Sequence, residues 1–441
     1  MKKTSTLNLI LLALLVAILW LAGACYAPTV PAPAVDATGI AGKTDKPMPP
    51  AEETPIVSQP VKMKKPNPEL ALPQSLPTDA LPGPLPEGVE SQAPPALSGA
   101  DLLFFNGRLG TWSPGEEQVH PVEWPSVAIL CPWLAPDGHT LYFSDGEGAK
   151  VVDLSNPQPP QLIIAHQTED ENPARHRRFC VVDRTPDGER LLFQGLDRWW
   201  YLLGIMDQER GVGALVESPF GPPGEPWHCP GDGVWGDNST VVLSGYSTGR
   251  CRQNPGLFTV QWGEALVPTV VLSGTLPALG DEPVKKAGAW QLVRSPDDGK
   301  VAFWFDEDWA RQDGAFLTQS LNVIDSDGNN VQQLVESVPG RNGPVAWAED
   351  SQSLYYLSSE PFDTLDPHRW QLHRWDLGKK EDAIVWEFEA RHAILSGPVQ
   401  GNQLLVSTLA DDIGSNVYAF DLTNGDIWAG PANAMILSWL G

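Results

Sequence analysis

Apolar and polar residues alternate along this chain in short runs, and turn residues punctuate them at a steady interval. In Trp133 to Ser144, WLAPDGHTLYFS, a short apolar run meets Pro-Asp-Gly and then an alternating strand. Alternation with a period of two lays one face of a strand on a core. Asp137-Gly138 supplies the positive-φ positions of a tight hairpin, and Leu141, Tyr142 and Phe143 suit a pleated, half-buried surface. The stretch predicts two antiparallel strands around a turn.

The pattern returns as DRTPDGERLLFQ (Asp183 to Gln194), WGDNSTVVLS (Trp235 to Ser244), RSPDDGKVAFW (Arg294 to Trp304), WAEDSQSLYYLS (Trp347 to Ser358) and PVQGNQLLVS (Pro398 to Ser407). Its second strand recurs about every 50 residues, at Leu102 to Phe105, Leu141 to Ser144, Leu191 to Gln194, Val241 to Ser244, Val301 to Trp304, Leu354 to Ser358 and Leu404 to Ser407. A third strand follows and ends at Asp153, Asp207, Asp325, Asp376 or Asp421, where a short acceptor suits the next turn. A weaker fourth strand closes the unit, as at Gln161 to Ile164, Val331 to Val335 and Ala383 to Phe388. Four antiparallel strands at this period predict the blades of an all-β propeller.

The first copy begins at a second strand, and Met435 to Gly441, MILSWLG, reads as a first strand with no continuation. Joining the two completes a seven-bladed propeller, closed by pairing of the C-terminal strand with the N-terminal blade, so that no long sheet edge stays open. The irregular stretch from Gly245 to Gly288 leaves six or eight blades as the alternative count.

The remainder of the chain reads differently. Residues 1–25 carry Lys2 and Lys3, an apolar run from Leu7 to Leu21, and small residues before Cys25, the layout of a secretory signal. Leu21-Ala22-Gly23-Ala24-Cys25 resembles the lipobox of bacterial lipoproteins, in which the Cys is lipidated, although Ala22 stands where Leu is commonest. An uncleaved membrane anchor is the alternative, and both place the rest outside the cytoplasm. Residues 26–98 hold 17 prolines in 73 residues and no aromatic residue after Tyr26, too little apolar surface to offset the entropy of ordering. A Pro-rich disordered linker is expected, reaching on the order of 200 Å at about 3.1 Å per residue, and the propeller domain is expected over 99–441.

Charge narrows the partners. The 55 acidic and 29 basic residues give a formal charge of -26, which repels nucleic-acid phosphates. A protein, peptide or glycan ligand is expected, no nucleic acid, and contact with a membrane only through the N-terminal lipid anchor. No cofactor is expected.

WLAPDGHTLYF, RTPDGERLLF and RSPDDGKVAF resemble the PD40, or TolB-like, class of WD40-related propeller repeats; the copies at Trp235, Trp347 and Pro398 have lost part of that motif. The resemblance covers about residues 100–441 and implies a binding platform, or the non-catalytic part of a dipeptidyl-peptidase-like hydrolase. The hydrolase link draws attention to Gly245-Tyr246-Ser247-Thr248-Gly249, which fits G-x-S-x-G. That motif needs a helix directly after it, and Arg250 to Gly256 reads as a loop. Asp325-Ser326-Asp327-Gly328-Asn329 lacks the distal Glu of a calcium loop and reads as a hairpin turn. His368 and His373 have no further ligands at metal spacing, so no metal site is expected.

Besides Cys25, the chain has Cys131, Cys180, Cys229 and Cys251, an even number in an exported domain. Cys131, Cys180 and Cys229 fall 49 residues apart, at or just before three successive first strands. The expected pairing is Cys131 with Cys180 between blades and Cys229 with Cys251 within one; four free thiols are the alternative.

The connections between second and third strands are rich in acids, LDRWW, FDEDWARQDG, EPFDTLDPHRW and LADDIGS, and the first three combine them with Trp. Aromatic faces flanked by acceptors suit sugars, cations and peptides. The ligand is therefore expected at Trp199, Trp200, Asp306, Asp308, Trp309, Asp366 and Trp370, whereas Trp133, Trp235, Trp347 and Trp439 in first strands are expected to pack between blades. The expected function is a cell-surface or periplasmic binding or scaffold module and not an enzyme, the alternative being a lyase or glycosidase with paired carboxylates in the central funnel.

Overall fold

The Pro-Asp-Gly hairpin joins Leu130–Leu134 to Thr140–Ser144, with Leu134 opposite Leu141 and Trp133 opposite Tyr142. Gly138 sits at φ 73°, a conformation an L side chain resists. Asp137 acts through its side chain instead: Oδ1 accepts the N–H groups of His139 at 2.9 Å and Thr140 at 2.8 Å, and Oδ2 accepts the Thr140 hydroxyl at 2.7 Å. Asp187, Asp237, Asp297 and Asp350 close their own turns in the same way. The Asp that ends four of the third strands does likewise, with Asp153 accepting from Ser155, Asp207 from Arg210, Asp376 from Lys379 and Asp421 from Thr423.

In this computed structural model the described residues are Leu72, Gln74 and 93–440 without 98–100, 106–107, 125–128, 169–175, 198–199, 220–226, 228–229, 246–255, 264–265, 274–287, 309–317, 340–342, 360–367, 410–414 and 433. All lie within the compact unit Lys62–Gly441. The signal segment, Cys25 and most of the Pro-rich stretch are outside the described residues, among which no helix is long and apolar enough to cross a membrane.

The strands form seven antiparallel sheets, the blades of a seven-bladed propeller. Blade 2 runs from Leu130–Leu134 to Gln161–Ala165, and blade 3 from His176–Arg184 to Val212–Leu215, with Gln167–Thr168 added at its inner edge. Blades 4, 5, 6 and 7 begin at Pro230–Trp235, Gly288–Arg294, Ala346–Trp347 and Ala393–Leu395. Blade 1 takes its second, third and fourth strands from Leu102–Phe105, Leu109–Trp112 and His120–Pro121, and its innermost strand from Met435–Trp439. Leu102 faces Trp439 and Phe105 faces Met435 across that closing pair, the closure expected from the two incomplete ends. The stretch of irregular spacing forms Gly256–Gln261 and Thr269–Ser273, the outer half of blade 4, which settles the count at seven.

A single blade is too thin to bury both its faces, so the core lies in the seams. Each seam holds one cluster of buried side chains from two successive blades, and the last joins Leu405, Val417 and Ala419 of blade 7 to Leu102, Phe104, Trp112 and Trp439 of blade 1. Each large side chain so buried contributes roughly 1.5–3 kcal/mol. Trp235, Trp347 and Trp439 are buried in these seams, and Trp133 packs on Tyr142 with ring centroids 5.4 Å apart, as expected for first-strand tryptophans.

The Pro-rich stretch touches the ring at its described points. Leu72 packs against the cluster between blades 6 and 7, and Leu97 against that between blades 1 and 2. Leu97 also donates its N–H to the Leu154 carbonyl at 2.8 Å.

Candidate functional site

Strand alternation gives the propeller two unlike faces. At one, the turn face, lie the turns between first and second strands and between third and fourth; at the other, the loop face, lie the connections between second and third strands. The turn face is laced from blade to blade. Arg184 Nη2 meets Asp137 Oδ2 at 2.7 Å, Arg190 Nη1 donates to the Asn238 carbonyl at 3.0 Å, the Asp297 N–H donates to Ser351 Oγ at 3.0 Å, and the Gly401 N–H donates to Glu349. Arg294 of blade 5 reaches past blade 4 to blade 3, with Nη2 3.5 Å from Asp183 Oδ1 and Nη1 3.3 Å from the Arg184 carbonyl. Asp183 also accepts the Trp235 N–H at 2.7 Å. Desolvation pushes the Asp183 carboxyl above the ordinary carboxylate value, against the pull of Arg294, so this contact is a buried link that holds three blades in register.

The channel side of the first strands is built differently. Four successive inner strands break register at about the same level, between Leu130 and Trp133, opposite Leu192/Phe193, between Pro230 and Gly233, and between Trp290 and Val293. Bulges of this kind re-aim side chains and recur beside functional sites. Two of them hold non-glycine residues at positive φ, Cys131 at 40° and Gln291 at 53°, a strain that clusters at functional positions. Cross-blade links form at this level. Cys131 and Cys180 are joined by a disulfide between blades 2 and 3, and the Gln291 N–H of blade 5 donates to Asp232 Oδ2 of blade 4 at 2.7 Å.

Beside the second link lies a cavity of about 330 Å³, lined among others by Val182, Leu203, Asp232, Val234, Gln291 and Leu292. Asp232 is exposed to this space, yet the inner strands crowd it on either side. That crowding pushes its carboxyl above the ordinary range, while the Gln291 N–H pulls the other way.

The residues expected to bind ligand separate. Trp199, Trp309 and Asp366 are outside the described residues. Trp200 opens the third strand of blade 3, opposite Asp197, and Asp306 and Asp308 end the second strand of blade 5, opposite Gln319 and Thr318. These three backbone positions border the loop face. Trp370 is a correction: its side chain is 0% exposed and lies among Leu372, Phe388 and Tyr418, with Nε1 donating to the Ala390 carbonyl at 3.1 Å. The third strand of blade 6 starts at His368, so Trp370 falls at an inward position of a strand and belongs to the seam with blade 7. His368 is likewise a strand residue and not a loop residue. Cys229, Cys251 and Tyr246 to Gly249 lie outside the described residues, so the second disulfide and the G-x-S-x-G stretch have no structural account.

Two arrangements escaped sequence reasoning. One is Asp232, set between Gly231 and Gly233 in a stretch that reads as a turn. The other is a polar chain across three strands of blade 6: Ser358 Oγ is 2.8 Å from His373 Nε2, and His373 Nδ1 is 2.9 Å from Asp382 Oδ2. Tyr356 stacks on the His373 ring with centroids 4.6 Å apart, and burial and Asp382 push its hydroxyl far above the ordinary value. Ser358 and His373 are buried and Tyr356 belongs to the seam with blade 5, so the chain ties strands together and presents no open nucleophile. Among the described residues, no three His, Cys, Asp or Glu side chains gather at metal-binding distance.

No family model matches this chain, and no curated protein matches it. Solved structures similar to it include an oligogalacturonate lyase in complex with manganese, at 11% identity over 78% of this chain and 88% of that one, with a TM-score of 0.49. They also include TolB from Acinetobacter baumannii, at 10% identity over 79% and 82% with a TM-score of 0.37. A third is a puromycin-hydrolyzing peptidase from Mycobacterium tuberculosis, at 12% identity over 81% of this chain and 56% of that one, with a TM-score of 0.47.

Proposed function

We propose that this propeller is an extracytoplasmic binding module, anchored through lipidated Cys25, that receives a protein, peptide or glycan at its loop face and channel mouth. The observation that carries the reading is the contrast between the two faces. The turn face spends its polar groups on links between blades, whereas the loop face borders unlike, Trp- and Asp-bearing connections above strained inner strands and a cavity. What repeats in every blade builds the blade, and what differs between blades is free to recognise a ligand.

The path of the chain leaves the loop face clear of the point where it enters the ring. Leu97 bonds to Leu154, just past the end of a third strand, and Leu102 opens a second strand; both positions belong to the turn face. The described chain therefore enters the ring at the turn face, on the opposite side from the loop face.

The test is a glycan array and an envelope-peptide panel read with the purified full chain, followed by the Trp199→Ala/Trp309→Ala double variant. The variant should lose the ligand found while keeping its melting temperature. Unchanged binding would discard the loop face. A lyase or glycosidase is the second reading, resting on the place of Asp232 in the lining of the channel-side cavity; turnover of a polysaccharide that stops in Asp232→Asn would establish it.

A further inference from the structure

The cavity beside Asp232 has a definite chemical bias. Its walls at Val182, Leu203, Val234, Leu292, Val293 and Pro344 are apolar, and Asp232 is the single charged residue among those lining it. One carboxylate oxygen, Oδ2, is fixed by the Gln291 N–H at 2.7 Å. The Gln291 backbone reaches that position at φ 53°, where a side-chain-bearing residue is strained by about 1–3 kcal/mol.

A Cβ on Gly233, next to Asp232, would stand 2.8 Å from Leu243 Cδ2 and 3.0 Å from Leu192 Cδ2, so any larger residue there would have to displace the seam between blades 3 and 4. The volume of about 330 Å³ sits at the small end of ligand pockets, roughly 300–1,000 Å³. It is enough for one aliphatic side chain.

From this geometry we infer that the cavity binds a primary ammonium on an aliphatic stem, as on a lysine side chain, with Asp232 as its counter-charge and the apolar walls around the methylenes. A sugar would need several polar partners, and the walls offer few. An anion would meet the Asp232 carboxylate and the whole-chain charge of -26, whereas that same field draws cations toward the channel. Pairing with the Asp232 carboxylate offsets part of the cost of taking the ammonium out of water. The inference rests on the reading of the channel mouth as the ligand's seat and names what its base would hold.

The experiment uses the full chain and two small probes, N-acetyl-lysine methylamide and N-acetyl-norleucine methylamide, by isothermal titration at low salt. The lysine probe should bind at least about tenfold more tightly than the norleucine probe, about 1.4 kcal/mol in binding free energy, and Asp232→Asn should erase the difference. Val234→Phe, which fills the cavity and leaves the carboxylate, should abolish binding of both probes. Melting temperatures within a few degrees of wild type qualify each variant, and if one is unfolded the other decides. Equal binding of the two probes, a preference that survives Asp232→Asn, or no binding of the lysine probe at millimolar concentration would overturn the inference. A loop-face ligand that still binds Asp232→Asn would leave the module reading standing and remove this inference alone.

Discussion

Replacing Trp370 with Ala tests whether this side chain is core or ligand contact. It is fully buried, stacks edge-on to His392 with centroids 5.8 Å apart, and donates Nε1 to the Ala390 carbonyl. A buried Trp removes about 150–250 Å² from water, worth about 4–6 kcal/mol at roughly 25 cal/mol per Å². A compact unfolded chain already hides roughly 10–40% of such area. The orphaned Ala390 carbonyl adds about 1 kcal/mol, and measured Trp→Ala losses in cores run about 3–5 kcal/mol. Trp370→Ala should therefore lose about 3–5 kcal/mol in urea unfolding, with an unchanged slope, and Trp370→Phe markedly less. Ligand affinity, measured on protein that remains folded, should be unaltered. An unchanged unfolding midpoint together with lost binding would refute the placement of Trp370 in the seam.

Removing the Cys131–Cys180 disulfide with a paired Ser substitution should destabilise the propeller by up to about 4 kcal/mol, the chain-entropy value for a loop of this size, given its sequence separation of 49; equal midpoints with and without reductant would contradict this. Arg294→Met leaves Asp183, of which only 8% of the side chain is exposed, without its cation and should cost about 3–5 kcal/mol; Arg294→Met combined with Asp183→Asn should recover part of it, and a double variant no better than the single one would count against a paired link. At Asp137, burial pushes the carboxyl up, but hydrogen bonds from Thr140 and His139 and the charge of Arg184 outweigh it, so its value in the fold lies below the ordinary 3.8. The stability it contributes is present above that pH and lost as pH falls through the lowered value. Asp137→Asn should therefore melt earlier than wild type at neutral pH, and the two curves should converge in strong acid; a gap that stays constant with pH would show that charge plays no part.

The ring was legible because its determinants are local. Pro-Asp-Gly, two-residue alternation and the Asp that ends five of the third strands act within a dozen residues, and together with the regular spacing they locate the second strand of every blade. Trp370 was misplaced because it adjoins a run of Asp and Pro, although Arg369, Trp370, Gln371 and Leu372 already alternate as a strand does. Asp232 was invisible for a different reason. Its role depends on a bulge and on Gln291, 59 positions away, and Gly-Asp-Gly has the composition of a turn wherever it lies. The reach of Arg294 to Asp183 spans 111 positions and skips a blade, a contact that no local pattern encodes. The Cys131 and Cys180 pair was within reach because equal spacing in a repeat puts two side chains at equivalent places in neighbouring blades.

The division of labour between the faces is tested most directly by a matched pair of surface variants against the ligand that the array identifies. Trp199→Ala/Trp309→Ala alters the loop face, and Asp153→Asn/Asp376→Asn alters the turn face at residues that serve only their own turns. Affinity should fall at least about tenfold, or about 1.4 kcal/mol, in the first variant and stay at the wild-type value in the second. The reverse result, binding lost with the turn-face pair and kept with the loop-face pair, would contradict the assignment.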